Sequence, residues 1–132
     1  RIHLCQRDCL HRRSRKGRES RDHMILWHDD KREPPDETWF WVRTNEEAQE
    51  ALALSTEQVT LISLDHDMTE ANYKGDPYGS GHDLVCWMID NDLVPEFVEI
   101  HSWNRKGTLR MKTELEDHGY EVIINPIPPW KH

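Results

Sequence analysis

Val59-Thr60-Leu61-Ile62-Ser63-Leu64-Asp65-His66-Asp67-Met68 decides how this chain is read. Its first six residues form an apolar, β-branched run of the kind that makes a buried strand. Two carboxylates and an imidazole follow at once, and such groups are costly to bury without partners. In open α/β sheets, ligands bind in the crevice beyond the carboxyl ends of the strands. Two further strand-like runs end the same way. Ile25-Leu26-Trp27 leads into His28-Asp29-Asp30, and Phe97-Val98-Glu99-Ile100 leads into His101-Ser102-Trp103-Asn104. If the three strands are parallel neighbours, three histidines and four aspartates meet at one edge of the sheet. One Asp-His-Asp at a strand end is commonly a solvated turn. The recurrence of histidines and aspartates across three strand ends points to a site for a phosphate or a metal.

Outward from these runs the elements alternate. Ile25 to Asp29 reads as a first strand and Thr38 to Val42 as a second, with Pro34 and Pro35 in the loop between them. Thr44 and Glu47 have capping-box spacing, and a helix follows through Ala48, Ala51 and Leu52. The glycine-rich stretch from Glu70 to Gly81 reads as a functional loop. Helices are expected from about Gly81 to Asn91 and from Thr108 to His118, with a strand from Phe97 to His101 between them. Gly119 caps the second of these helices, and a last strand runs from Tyr120 to Ile124. The order β-β-α-β-α-β-α-β favours a parallel sheet flanked by helices. The link from Asp30 to Glu37 is short for a parallel crossover, which ordinarily takes about a dozen residues. The second strand is therefore expected to be displaced or antiparallel.

With 132 residues the chain is expected to form one domain. Charged residues make up 32% and the formal charge is −8, but the charge is unevenly spread. Residues 1–23 carry eight Lys/Arg against three Asp/Glu, so the body is strongly acidic. The 1–23 segment reads as a disordered basic arm or an upstream leader, with the domain spanning 24–132. Nucleic-acid binding by the arm is not the expected reading, and Cys5, Cys9 and His11 lack an evident fourth zinc ligand. The odd cysteine count of three and the absence of a secretory h-region suggest a reduced, cytoplasmic protein. No apolar run approaches the ~20 residues of a membrane span.

These residues resemble a known family. Asp29-Asp30, Asp65 and Ser102 are similar to the acidic pair, phospho-acceptor aspartate and hydroxyl residue of response-regulator receiver domains. The fuller resemblance is to a divergent branch, the cyclic-phosphate-processing receiver-like domains of bacteria and their phages. It rests on Asp29-Asp30-Lys31-Arg32-Glu33-Pro34-Pro35, Leu64-Asp65-His66-Asp67-Met68, Gly81-His82-Asp83-Leu84, and His101-Ser102-Trp103-Asn104 with Gly107 and Met111. The resemblance implies a small flavodoxin-like α/β three-layer sandwich with a mostly parallel five-stranded sheet. It departs from a standard receiver in having Asn125 where the last strand usually ends in lysine. The first and last receiver helices also look reduced or absent.

The implied activity is hydrolysis of a cyclic phosphate, in a cyclic nucleotide or at an RNA 2′,3′-cyclic-phosphate end. Such a reaction needs a base for the attacking water, an acid for the leaving oxygen, and positive charge or donors around the phosphoryl group. His66 and His101 are the expected acid/base pair, because histidine titrates near neutral pH. Asp65 and Asp67 are expected to assist them. Arg32, Ser102 and Asn104 are expected to bind phosphoryl oxygens. Asp29, Asp30 and Asp65 are candidate Mg²⁺ ligands, and the sequence leaves metal dependence open. The alternative is a receiver-like module that binds a nucleotide or a protein without turnover. A third option is a receiver relic that accepts phosphate on Asp65.

Overall fold

The structure, a computed structural model, describes residues 23–54, 58–76 and 78–125. Apart from His23, the basic arm lies outside the described residues. So does the chain after Asn125, where a last receiver helix would fall. Five strands make one sheet: β1 Met24–His28, β2 Trp39–Val42, β3 Val59–Leu64, β4 Phe97–Ile100 and β5 Val122–Ile124. Their order is β2-β1-β3-β4-β5 and every pairing is parallel.

The direction of β2 corrects the sequence expectation. It pairs parallel to β1, with Ile25 opposite Trp39 and His28 opposite Val42. Residues 29–38 make the return without a helix. Ten residues of extended chain reach roughly 33 Å, more than enough to run back along a five-residue strand. Asp36 then starts the strand, accepting a hydrogen bond from the Thr38 backbone N–H at 2.9 Å. The first receiver helix is thus absent, as expected.

Among the described residues four helices accompany the strands: α1 Asn45–Leu54, α2 Glu70–Tyr73, α3 Gly81–Asp90 and α4 Arg105–Asp117. Thr44 caps α1, its Oγ1 accepting from the Glu47 N–H at 3.0 Å. The short α2 falls inside the expected loop, where Thr69 and Asn72 cap each other's backbone. Helix α4 starts three residues earlier than its apolar pattern indicates. Asn104 is the reason: its side chain accepts from the Gly107 N–H and caps the helix.

The core lies on one face of the sheet. Leu26, Val42, Ile62, Leu64, Val98 and Ile100 point toward α1, α3 and α4 and cluster with Ala48, Leu52, Leu84, Met88, Met111 and Leu115. Strand alternation sends Trp27, Trp41, Ser63, Glu99 and Ile123 to the other face, which carries none of these three helices. No helix among the described residues is long and apolar enough to cross a membrane.

Candidate functional site at the strand ends

The parallel order β1-β3-β4 brings Asp29, Asp65 and His101 side by side, each one residue past its strand. The backbone ladder continues through them: Asp65 N–H donates to His28 O at 3.0 Å, and His101 N–H to Leu64 O at 2.9 Å. Of the residues expected to converge, these three are brought together here, and all three are buried.

Asp29 is the hub. Its Oδ1 closes a turn, accepting from the backbone N–H groups of Lys31 at 2.9 Å and Arg32 at 2.8 Å. Its Oδ2 accepts from Arg32 Nε at 2.8 Å and His101 Nε2 at 2.9 Å. Burial alone would raise the Asp29 pKa. The hydrogen bonds from His101, Arg32 and Lys31 outweigh it and hold the carboxyl well below the usual range. Arg32 reaches across to the next strand, its terminal nitrogen donating to Asp65 Oδ1 at 3.0 Å.

Asp65 behaves in the opposite way. Burial, then the negative charge of Asp29, push its pKa up to about 8, against the pull of Arg32. Its Oδ2 is buried and has no hydrogen-bond partner, so that oxygen is the natural seat of the proton. Two carboxylates on adjacent strand ends thus divide the roles: Asp29 carries the charge and Asp65 the proton.

His101 is fully buried. It stacks on Trp27 with ring centroids 3.8 Å apart and planes 6° from parallel. Its Nδ1 lies 2.8 Å from Ser63 Oγ, which also lies 2.6 Å from Glu99 Oε2. Asn125, in the position of the receiver lysine, donates to that same Glu99 oxygen at 2.8 Å. Both ring nitrogens of His101 are therefore engaged. Burial lowers its pKa even though Asp29 opposes the shift.

His66 sits apart, beneath the first turn of α4. A Cβ on Gly107 would overlap the His66 ring, and a Cβ on Gly81 would overlap the Asp65 carbonyl oxygen. Glycine at both helix starts is what lets α3 and α4 close over the strand end. His66 Nδ1 lies 2.7 Å from Asp67 Oδ1, and Asn104 Nδ2 donates to the same carboxylate oxygen at 3.1 Å. This arrangement fixes the tautomer with Nδ1 protonated and leaves Nε2 with its lone pair. Nε2 has no hydrogen-bond partner, unlike either nitrogen of His28 or His101. Among the described residues no hydrogen bond joins His66 to His101. Alternation explains the separation, because His101 follows Ile100 and turns with Trp27 and Ser63 toward the sheet face away from α1, α3 and α4.

The remaining expected residues divide. Asp30 turns away and accepts from the Tyr73 hydroxyl at 3.1 Å. Asn104 is committed to Asp67 and to the α4 cap. Ser102 Oγ accepts from the Asn104 N–H at 3.0 Å and keeps its own proton to donate. Ser102, Trp103, Arg105 and Lys112 line a groove of about 460 Å³ beside the strand ends. Trp103 is half-exposed, with the Arg32 guanidinium 5.5 Å from its ring.

Two parts of the network were not read from the sequence. His28 is buried, and burial lowers its pKa to about 4. Its Nε2 bonds Asn45 Oδ1 at 2.8 Å, and Asn45 Nδ2 in turn holds the carbonyls of Gly79 and Ser80. The second is the Ser63–Glu99–Asn125 chain behind His101. The only advance sign was a serine and a glutamate interrupting two apolar strands.

A model of the family described as the cyclic-phosphate processing receiver domain matches residues 24–117. The chain belongs to that family. No curated protein and no solved structure matches it closely enough to be counted a relative. The matched span takes in the four ordered motifs and the whole of α4, and ends before β5 and Asn125.

These titrations set a pH signature for this cyclic-phosphate processing receiver domain. Between about 4 and 6.5 the unfolded state holds a proton that folded His28 does not, so His28 makes stability rise with pH. Between about 4 and 8 folded Asp65 holds a proton that the unfolded state has lost, so Asp65 makes stability fall with pH. The two offset each other up to 6.5, and above it only the fall remains. Stability is expected to decline from pH 6.5 to 8 by up to about 1.4 kcal/mol per pH unit. Urea melts across that range check it, and Asp65→Asn should remove the decline.

Proposed function

We propose that the strand-end site hydrolyses a cyclic phosphodiester, with His66 as the base and Asp65 as the acid. The observation that carries this reading is the His66 ring, its Nδ1 held by Asp67 and its buried Nε2 without a partner, one residue along the chain from a carboxylic acid that keeps its proton at neutral pH. In the proposed step, His66 Nε2 takes a proton from water as its oxygen bonds to phosphorus. The P–O bond of the ring breaks, and the departing oxygen takes the proton of Asp65. His66 then returns its proton to the Asp65 carboxylate through solvent. Arg32 and the Ser102 hydroxyl meet the phosphoryl oxygens, and the groove at Trp103 receives the base of a nucleotide or RNA end.

The sequence paired His66 with His101 for this chemistry. The burial of His101, and the engagement of both its nitrogens, favour a positioning role for it instead, holding Asp29 and through it Arg32. A nucleophilic Asp65 that accepts phosphate is a weaker reading, because a protonated, buried carboxyl is a poor nucleophile. Binding without turnover is favoured by one observation: His66 is only 7% exposed. Analysis of a panel of cyclic mono- and dinucleotides by mass spectrometry separates the two, since a binding module returns its ligand intact.

The proposed chemistry does not call on Mg²⁺. Asp29, Asp65 and His101 do offer three donor atoms close together. The donors present are a poor fit. Both Asp29 oxygens and the imidazole are already hydrogen-bonded, and Asp30 faces Tyr73. Mg²⁺ demands near-octahedral oxygen ligation at about 2.0–2.1 Å. The Arg32 guanidinium occupies the bridging position between Asp29 and Asp65 and supplies the positive charge. Millimolar Mg²⁺ is accordingly expected to leave the melting temperature and turnover unchanged. A rise of several degrees in thermal melts would instead assign the carboxylates to a metal.

A further inference from the structure

Helices α3 and α4 pack against each other on the helical face, and their outer seam carries a second group of side chains. His82 and Cys86 stand one turn apart on α3, and four-residue spacing puts them on the same side of the helix. Glu114 faces them from α4. His82 Nε2 lies 3.9 Å from Cys86 Sγ and 3.6 Å from Glu114 Oε1. One ligand atom from each residue falls within 4.8 Å of the other two, and all three residues are partly exposed. None of them belongs to the strand-end network.

We propose that His82, Cys86 and Glu114 form a site for Zn²⁺ or a similar borderline-soft divalent ion, with water as the fourth ligand. The donor set is the first reason. Imidazole, thiolate and carboxylate are the three side-chain ligands of zinc, and a mixed N/S/O set suits neither Mg²⁺ nor Ca²⁺. Geometry is the second. Tetrahedral zinc with Zn–S near 2.3 Å and Zn–N and Zn–O near 2.0 Å places sulfur about 3.6 Å from nitrogen and nitrogen about 3.3 Å from oxygen. The observed 3.9 and 3.6 Å exceed those edges by a few tenths of an ångström, within reach of rotamer adjustment.

His118 holds the Glu114 backbone from behind. Its Nδ1 donates to the Glu114 carbonyl oxygen at 2.9 Å and lies 3.8 Å from Glu114 Oε2. A bound ion would brace α3 to α4. The first residues of these helices include Gly81 and Gly107, which close over Asp65 and His66. The ion would therefore stiffen the strand-end site without touching it.

Cobalt is the direct probe, because a thiolate ligand gives Co²⁺ an intense near-ultraviolet charge-transfer band that carboxylates and imidazoles do not. The full chain carrying Cys5→Ser and Cys9→Ser, kept reduced, leaves Cys86 as the one thiol. Titration with Co²⁺ is expected to give that band at one equivalent, together with visible bands of four-coordinate cobalt, all displaced by Zn²⁺. Zn²⁺ at a hundredfold excess over its Kd is expected to raise the melting temperature by about 5–10 °C. Cys86→Ser should abolish the charge-transfer band. Glu114→Gln, at a partly exposed position that tolerates the change, should weaken Co²⁺ at least tenfold. Absence of the charge-transfer band in the Cys5→Ser/Cys9→Ser protein, or an undiminished affinity in Glu114→Gln, would overturn the site.

Discussion

Turnover of a cyclic phosphate is expected to fall by about 10²-fold or more in His66→Gln, the usual scale for removing a general base. Glutamine can still donate to Asp67 Oδ1, which now holds the His66 ring. Its amide cannot take a proton from water at neutral pH. The loss should therefore lie in kcat, with binding of a non-hydrolysable analogue retained. The pH profile of the wild type carries a second signature. Its alkaline limb should fall near pH 8, where Asp65 gives up its proton. Asp65→Asn should show low activity and no such limb. Undiminished turnover in His66→Gln would remove the proposed base.

Arg32→Ala is expected to be the most destabilising single change at the site. The guanidinium bonds Asp29 at 2.8 Å and Asp65 at 3.0 Å, and both carboxyls are buried. Removing one partner of a buried ion pair leaves an uncompensated charge and typically costs about 3–5 kcal/mol. His101 still donates to Asp29 in the variant, which places the expected loss toward the lower end of that range. Arg32→Lys should recover only part of it, because an ammonium cannot bridge two carboxylates with the reach of the guanidinium fork. Chemical denaturation of the three proteins at pH 7 measures the differences. A loss within about 0.5 kcal/mol in Arg32→Ala, the range of ordinary surface changes, would show that the bridge contributes little.

Much of this arrangement is legible in the sequence. The apolar runs ending at His28, Leu64 and Ile100 identify three strands, and polar residues just beyond each run identify the edge where they meet. Glycines 81 and 107 stand in the motifs because a helix N-terminus lies directly on Asp65 and on His66. Less legible is whatever depends on tertiary placement. The direction of β2 is hidden in the sequence because a ten-residue extended return needs no crossover helix. The start of α4 is hidden because Asn104 reads from the sequence as a phosphate ligand, whereas in the fold its side chain caps the helix. Which way His101 faces depends on alternation through the last residue of β4, and a one-residue change of register would reverse it. The partnership of His28 with Asn45 joins residues far apart in the chain, and no local pattern signals it.

The division of labour between Asp29 and Asp65 belongs to the same class. In the sequence they are equivalent aspartates, each after a strand. In the fold, His101 and two backbone N–H groups converge on Asp29 and stabilise its charge, while Asp65 keeps an oxygen with no partner. Desolvation then raises whichever carboxyl has the fewer donors.

The central claim is that this member of the cyclic-phosphate processing receiver family breaks a cyclic phosphate with water, using its own side chains. Incubation of the full chain with cyclic nucleotides and a 2′,3′-cyclic-phosphate RNA in ¹⁸O-labelled water, followed by mass spectrometry, tests it directly. The account predicts a ring-opened phosphate monoester (from a cyclic dinucleotide, a linear dinucleotide) carrying one ¹⁸O on phosphorus, formed by the wild type and about 10²-fold more slowly by His66→Gln. Recovery of every substrate intact and unlabelled, from a protein that melts cooperatively, would contradict it.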